Sequence, residues 1–205
     1  MIITISRETG SGGHTIGKML AEKLGYQFYD KEIIDEVAKE MGVSSQVVEE
    51  NGETMSEQTY IDLASGFIPF SRKEKIPFEE IRKKQDKLIL DIAQRGNGVI
   101  VGRGADFILR DREDAFHVFV HANMEHRVKR VQRHDGIENQ AERIERELKV
   151  KDRSREMYYQ YFTGREWGKV TNYNFTIDVG RYTKTQCVEL IVDALEKMNG
   201  EKNHA

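Results

Sequence analysis

At 205 residues the chain has the length of one α/β domain and can bury most of its apolar surface. Its 32 Lys and Arg against 35 Asp and Glu leave a formal net charge of −3, so there is no global attraction for a polymeric nucleic acid and any basic site must be local. The single cysteine, Cys187, excludes disulfides and cysteine-based zinc sites within the chain, and no apolar run approaches the ~20 residues of a membrane span.

The run Ile2-Ile3-Thr4-Ile5 predicts a strand at the very start, which leaves no room for a signal sequence and points to a cytoplasmic protein. Residues 6–15, S-R-E-T-G-S-G-G-H-T, lead into a helical pattern of Ile16, Met19, Leu20 and Leu24. An apolar β-branched run that ends in a glycine-rich turn and passes into a helix is a strand, phosphate loop and helix. Backbone N–H groups must turn inward around phosphate oxygens, and Gly10, Gly12 and Gly13 allow that turn and the close approach of the ligand. The helix opening near His14 adds its N-terminal partial charge, and Thr15 is the hydroxyl placed to ligate a phosphate-bound Mg²⁺. Arg7, Gly10, Ser11, Gly12, Gly13, His14 and Thr15 are therefore the candidate triphosphate-binding set.

Against the pattern G-x-x-x-x-G-K-[ST], with Gly12 as the second glycine, Arg7 stands in place of the first and Gly13 in place of the lysine. A register through Gly12, Gly17 and Lys18 restores the glycines, but it puts Met19 where the hydroxyl belongs and buries the loop in the helical stripe. That register is rejected. A glycine-rich turn without a ligand is the competing reading of the loop taken alone.

Helix one is expected to stop at Gly25, and Tyr26-Gln27-Phe28-Tyr29 to form a second strand ending at Asp30. Asp30 has two readings: the cap of a helix carrying Ile33, Ile34, Val37, Ala38 and Met41, or a carboxylate facing the ligand crevice at the end of a parallel strand. Residues 43–78, with Asn51-Gly52, Gly66, Pro69 and Pro77, are the least regular, and predict an inserted cover on the substrate side with a solvated basic piece at Arg72-Lys73-Glu74-Lys75.

A helix from about Phe78 to Arg95 precedes the apolar run Gly98-Val99-Ile100-Val101-Gly102, of the kind buried centrally in a parallel sheet. That run delivers Arg103 to the crevice, where it forks onto phosphate or stays a surface arginine in a turn. Phe116-His117-Val118-Phe119-Val120-His121 is the fourth strand, and Asn123 caps a helix whose Arg127, Arg130 and Arg133 read as solvated charge, with spacing that could aim one or two at a nucleotide. His117, His121 and His126 lack companions at metal-site spacing.

From Glu138 to about Tyr161 alternating charge predicts an exposed helix pair, within which Arg153 and Arg155 would serve a closing lid once a phosphate site is assumed. The aromatic cluster around Tyr158 and Trp167 reads as packing. Tyr173-Asn174-Phe175-Thr176-Ile177-Asp178 supplies a fifth strand, and Thr183 with Gln186 a capping box for a last helix that buries Val188, Ile191, Val192, Leu195 and Met198.

Taken in order, I-T-I-S, G-S-G-G-H-T, L-G-Y-Q-F-Y-D, V-G-R-G, F-H-V-F-V with its arginine helix, K-D-R-S-R and N-F-T-I-D resemble the cytidylate kinase-like family of P-loop proteins over nearly the whole chain. The resemblance implies a P-loop NTPase three-layer α/β fold, with a five-stranded parallel sheet flanked by helices and a helical lid. It implies one domain, with an acceptor-side insertion at 43–85 and a lid at about 135–170. It also implies ATP with Mg²⁺ on the loop and a nucleoside monophosphate or other small phosphate acceptor opposite. By position Arg103 matches an arginine of the monophosphate site, Arg153 and Arg155 match lid arginines, and Asp30 would orient the acceptor or the metal. Three departures stand out: Gly13 replaces the loop lysine, Glu36 an acceptor-binding arginine, and Gly104 an aspartate. A phosphotransferase and a nucleotide-binding sensor that has lost catalysis both follow from these residues, and self-association stays open.

Overall fold

The structure, a computed structural model, describes residues 1–65, 78–136 and 140–202. Gly66, both prolines, the basic piece at 72–75 and the end of the chain lie outside the described residues.

Five parallel strands form one sheet in the order β2-β3-β1-β4-β5: β1 Ile2–Arg7, β2 Gln27–Tyr29, β3 Gly98–Val101, β4 Ala115–His121 and β5 Phe175–Asp178. Strand β1 is central, with Ile2 opposite Gly98 on one side and Ala115 on the other. Strands covered on both faces carry near-continuous apolar runs, and their period of two divides the side chains between two layers. Ile3, Ile5, Val99, Val101, Val118 and Val120 enter one layer, while Ile2, Ile100 and Ala115 enter the other.

Helices α1 Gly13–Leu24 and α9 Lys184–Lys202 cover the first layer through Ile16, Leu20, Val188 and Ile191, with Cys187 fully buried among them. Helices α2 Lys31–Met41, α3 Ser45–Gly52, α5 Phe78–Arg95 and the short α6 Ala105–Ile108 cover the second through Ile33, Val48, Ile89 and Ala105. A polar pair also sits inside: Thr4 Oγ1 lies 2.8 Å from Nδ1 of His117. Burial holds that imidazole down to about 4, so it is neutral at physiological pH.

Two stretches differ from the sequence-based expectation. Residues 43–78 read as irregular, yet their described part contains α3 and α4 Glu57–Ala64, because Ser44 and Ser56 cap them by accepting from the N–H groups of Val47 and Thr59. The expected charged helix pair is, in its described part, the single helix α8 Ala141–Thr163, whose alternating charge conceals buried Ile144, Leu148, Met157, Tyr158 and Tyr159. Ile144 and Leu148 pack on Val128 of α7 Met124–Asp135, while Met157 and Tyr158 pack with Met55 and with Tyr60 and Leu63 of α4. Helix α8 thus spans from one side of the crevice to the other.

Candidate active site

The connection from β1 runs toward β2 and that from β4 toward β5, so the strand order reverses between β1 and β4. Ligands of open α/β sheets bind beyond the carboxyl ends of the strands at such a point. Residues 8–12 form the loop there. Gly12 sits at the N-cap of α1 in the left-handed region with φ 97°, and no side chain caps the helix, so its first N–H groups face the crevice. The guanidinium of Arg130, from α7, lies over this loop, 3.4 Å from both the Gly10 carbonyl and Thr15 Oγ1. A side chain at position 12 would begin 3.1 Å from Arg130 Nε. Gly17 packs inward against Val101 and Phe28, so the alternative register through Gly17 and Lys18 belongs to the core.

Arg7 leaves the end of β1 and forks onto Glu53, the residue between α3 and α4, with Nη2 donating to Oε2 at 3.0 Å and Nη1 paired to Oε1. The same carboxylate accepts from the backbone N–H of Arg103 at 3.3 Å and lies 3.9 Å from Nε of Arg155. Burial alone would raise the Glu53 carboxyl, but Arg7, Arg155 and Arg103 outweigh it and hold it at about 2. Burial and the neighbouring Arg7 together push the Arg155 guanidinium down.

Arg103 stands in the middle of three successive left-handed residues, Gly102, Arg103 and Gly104, with φ of 76°, 61° and 64°. An arginine in that region carries strain, which a functional site can retain. Its side chain is 4% exposed, and its Nε and Nη1 are buried without a hydrogen-bond partner. Gln85, fully buried on α5, donates to the Gly52 carbonyl at 3.0 Å and leaves its Oε1 without a partner beside Arg103. Buried polar atoms of this kind are costly unless something satisfies them.

Helix α8 is docked on the loop. Asp152 accepts from the Thr9 N–H at 2.7 Å and pairs with Arg127, while Arg155 Nη1 donates to Thr9 Oγ1 at 2.6 Å. Arg127 is buried, contrary to the expectation of solvated charge, because Asp152, Glu8 and the Thr9 carbonyl surround it. Arg153 does not join this group: its side chain is 58% exposed and Nη1 pairs with Glu156 at 2.8 Å.

Asp30 occupies the N-cap position of α2 but makes no side-chain capping bond. Its carboxylate turns instead to His14, 3.3 Å from Nε2, and adds to the field on Arg7. Sequence reasoning missed Asp106, buried at the start of α6, which accepts from Ser6 Oγ at 3.0 Å and from Tyr159 Oη at 2.6 Å. It also missed Glu53 and Gln85, which lie in no recognisable motif, and Asp152, which lies within K-D-R-S-R but carries no role in the sequence reading.

Beside Ser11 a cleft of about 380 Å³ opens between α7 and the β5–α9 connection, lined by His126, Arg130, Arg133, Tyr182, Thr183 and Lys184 among others. Mg²⁺ keeps several waters and is bound by one or two protein oxygens together with substrate phosphates. Thr15 supplies such an oxygen, and the described residues contain no group of three His, Cys, Asp or Glu side chains suited to a metal. A single hydroxyl donor of this kind fits an ion that brings most of its other ligands with it.

The sequence pattern of the cytidylate kinase-like family matches residues 2–181. The chain belongs to that family. Among curated members of similar sequence, the cytidylate kinase of Aeropyrum pernix is 30% identical over 197 residues, covering 94% of this chain and 98% of that protein. A crystal structure of an uncharacterized protein from Eubacterium ventriosum has a TM-score of 0.71 at 26% identity, covering 96% of this chain and 98% of that one. The shikimate kinase of Bacteroides thetaiotaomicron, at 17% identity and a TM-score of 0.55 over 96% of this chain and 98% of its own, shares the fold. The cytidylate kinase-like chain thus has the P-loop kinase architecture, a parallel sheet of five strands between helical layers. No described helix is long and apolar enough to cross a membrane.

Proposed function

We propose that the protein is an ATP-dependent phosphotransferase that moves the γ-phosphoryl group of ATP onto a nucleoside monophosphate, of the cytidylate type or a related small phosphate acceptor. The observation that carries this reading is the convergence of Arg7 and Arg155 by their guanidiniums, and of Arg103 by its backbone N–H, on one carboxylate at the mouth of the loop. Phosphoryl transfer asks a protein chiefly for positioning and for cations around the migrating group.

The loop N–H groups and Thr15 hold the triphosphate, and the cleft beside Ser11 takes its nucleoside. Arg103 grips the acceptor phosphate, and Arg155 reaches the transferring group from α8, the lid within residues 135–170. Helices α3 and α4, within residues 43–85, cover the acceptor side, and Asp30 orients the acceptor. A phosphate oxygen of the acceptor attacks the γ-phosphorus in line, its bond to the β-phosphate oxygen breaks, and ADP leaves. The acceptor oxygen is already nucleophilic, so no general base is needed. Mg²⁺, when bound with ATP, neutralises phosphate charge.

Gly13 favours a second reading, a nucleotide sensor without turnover, since the usual loop cation is missing from that position. ADP formation with Mg²⁺ across a panel of nucleoside monophosphates and small phosphate acceptors, beside ATP calorimetry, separates the two. Acceptor-dependent ADP release establishes the kinase. Tight ATP binding with no turnover on any acceptor overturns it in favour of the sensor.

A further inference from the structure

The residue after the last loop glycine is where the usual pattern places a lysine, and the structure shows what fills that space here. A Cβ added to Gly13 would stand 2.6 Å from Cβ and 2.8 Å from Cγ of Arg7. Both atoms are part of a stem anchored in β1, so position 13 cannot carry a side chain while Arg7 keeps its place. The charged end of Arg7 then crosses over Gly102, where any Cβ would strike both Arg7 Nη1 and the Glu53 carboxylate. Two glycines thus clear a path for one arginine between the phosphate loop and the turn at 102–104.

The partner of Arg7 is equally informative. Glu53 is carried by the α3–α4 junction and not by the sheet, and the guanidiniums of Arg7 and Arg155 share its one carboxylate with the backbone N–H of Arg103. Arg103 still holds two buried donors without partners, and Arg155 Nε makes no hydrogen bond. Buried guanidinium donors left without partners call for a further anion of phosphate type, which guanidinium groups bind as a fork. Arg127 also meets the loop, held by Asp152, Glu8 and the Thr9 carbonyl, and Arg130 is a further cation there. It comes from α7, rests on the Gly10 carbonyl and Thr15 Oγ1, and leaves the space at position 13 untouched.

We infer that Arg7 takes the place of the absent loop lysine: with nucleotide bound its guanidinium holds the terminal phosphate oxygens, and Glu53 is the internal anion that occupies it otherwise. This rests on the reading of the loop as a triphosphate site. It names Arg7 as a phosphate-binding residue and Glu53 as its intramolecular competitor.

The test uses the full chain, ATP calorimetry with Mg²⁺, and thermal melts to verify folding. Glu53→Gln serves as the background so that no lone buried charge remains when Arg7 is removed. Adding Arg7→Ala to Glu53→Gln is expected to weaken ATP binding by about 10- to 100-fold, as loss of a charge-assisted fork predicts. Adding Gly13→Lys as well is expected to restore most of that loss, since removal of the Arg7 stem opens the space a lysine needs. Gly13→Lys alone, with Arg7 in place, is expected to weaken binding.

Equal ATP affinity in Glu53→Gln and in the Arg7→Ala, Glu53→Gln protein overturns the inference while leaving the triphosphate site intact. A folded triple variant that binds no better than the double variant overturns it too, since the lysine space would not be the one Arg7 fills. Absence of ATP binding in the wild-type chain overturns the triphosphate reading itself, and the role of Arg7 with it.

Discussion

Arg7 and Glu53 are 46 positions apart in the chain and meet as a fork, guanidinium to carboxylate, across the mouth of the phosphate loop. Both side chains are 13% exposed, so solvent screens the pair little. The Glu53 carboxyl falls from an ordinary 4.5 to about 2. A carboxyl lowered on folding contributes stability above its unfolded value and loses it as pH falls. That contribution is about 3 kcal/mol at neutral pH and disappears between roughly pH 4.5 and pH 2. Glu53→Gln should flatten this part of the stability profile, as read by urea denaturation across that window. An unchanged slope would show that the carboxylate is not held by the arginines.

Gly102→Ala should cost at least about 1 kcal/mol, because alanine at φ 76° is strained and its Cβ enters the Arg7–Glu53 pair. The acid profile of this variant should resemble that of Glu53→Gln. Backbone strain alone would lower stability and leave the acid slope as in the wild type.

Tyr159→Phe removes one of the two side-chain donors to buried Asp106. The expected loss is about 1–3 kcal/mol, the range for leaving a buried polar group with a partner fewer. Burial raises the Asp106 carboxyl, while the bonds from Tyr159 and Ser6 favour its charged form. Without Tyr159 the carboxylate is less well held, so the penalty should grow as pH rises from acid to neutral. Denaturation at two pH values measures the difference.

Asp152→Ala frees the Thr9 N–H and removes the main partner of buried Arg127. Hydrogen exchange at Thr9 should accelerate at least about tenfold, since the lost bond involves a charged acceptor. Asp152→Asn keeps an acceptor for Thr9 and should preserve most of the protection.

Arg155→Ala should lower turnover more than Arg153→Ala does, because only Arg155 reaches Thr9 and Glu53. Arg153→Ala should change stability by less than about 0.5 kcal/mol, as its pair with Glu156 is exposed. Steady-state kinetics and melts of the two variants make the comparison.

Sequence alone determined the strands, the glycine-rich turn into α1 and the family resemblance, because each is written in short windows. Strand Ile2-Ile3-Thr4-Ile5, the glycines at 10, 12 and 13, and the Thr183–Gln186 cap all act on near neighbours. The cap is present as a reciprocal pair, Thr183 N–H to Gln186 Oε1 at 2.9 Å and Gln186 N–H to Thr183 Oγ1 at 3.3 Å. The pairings that build the site join residues 46, 143 and 53 positions apart: Arg7 with Glu53, Thr9 with Asp152, and Asp106 with Tyr159.

Only the tertiary structure decided those pairings, since no local period signals which distant carboxylate will meet a given arginine. It also separated Arg153 from Arg155. At 3.6 residues per turn, residues two apart on a helix point about 200° from each other, so once packing fixed the rotation of α8, Arg155 faced the loop and Arg153 faced water. The same reason governs Asp30: its place at the end of β2 permitted a cap or a crevice carboxylate, and the position of His14 on α1 drew its carboxylate away from the cap to that ring.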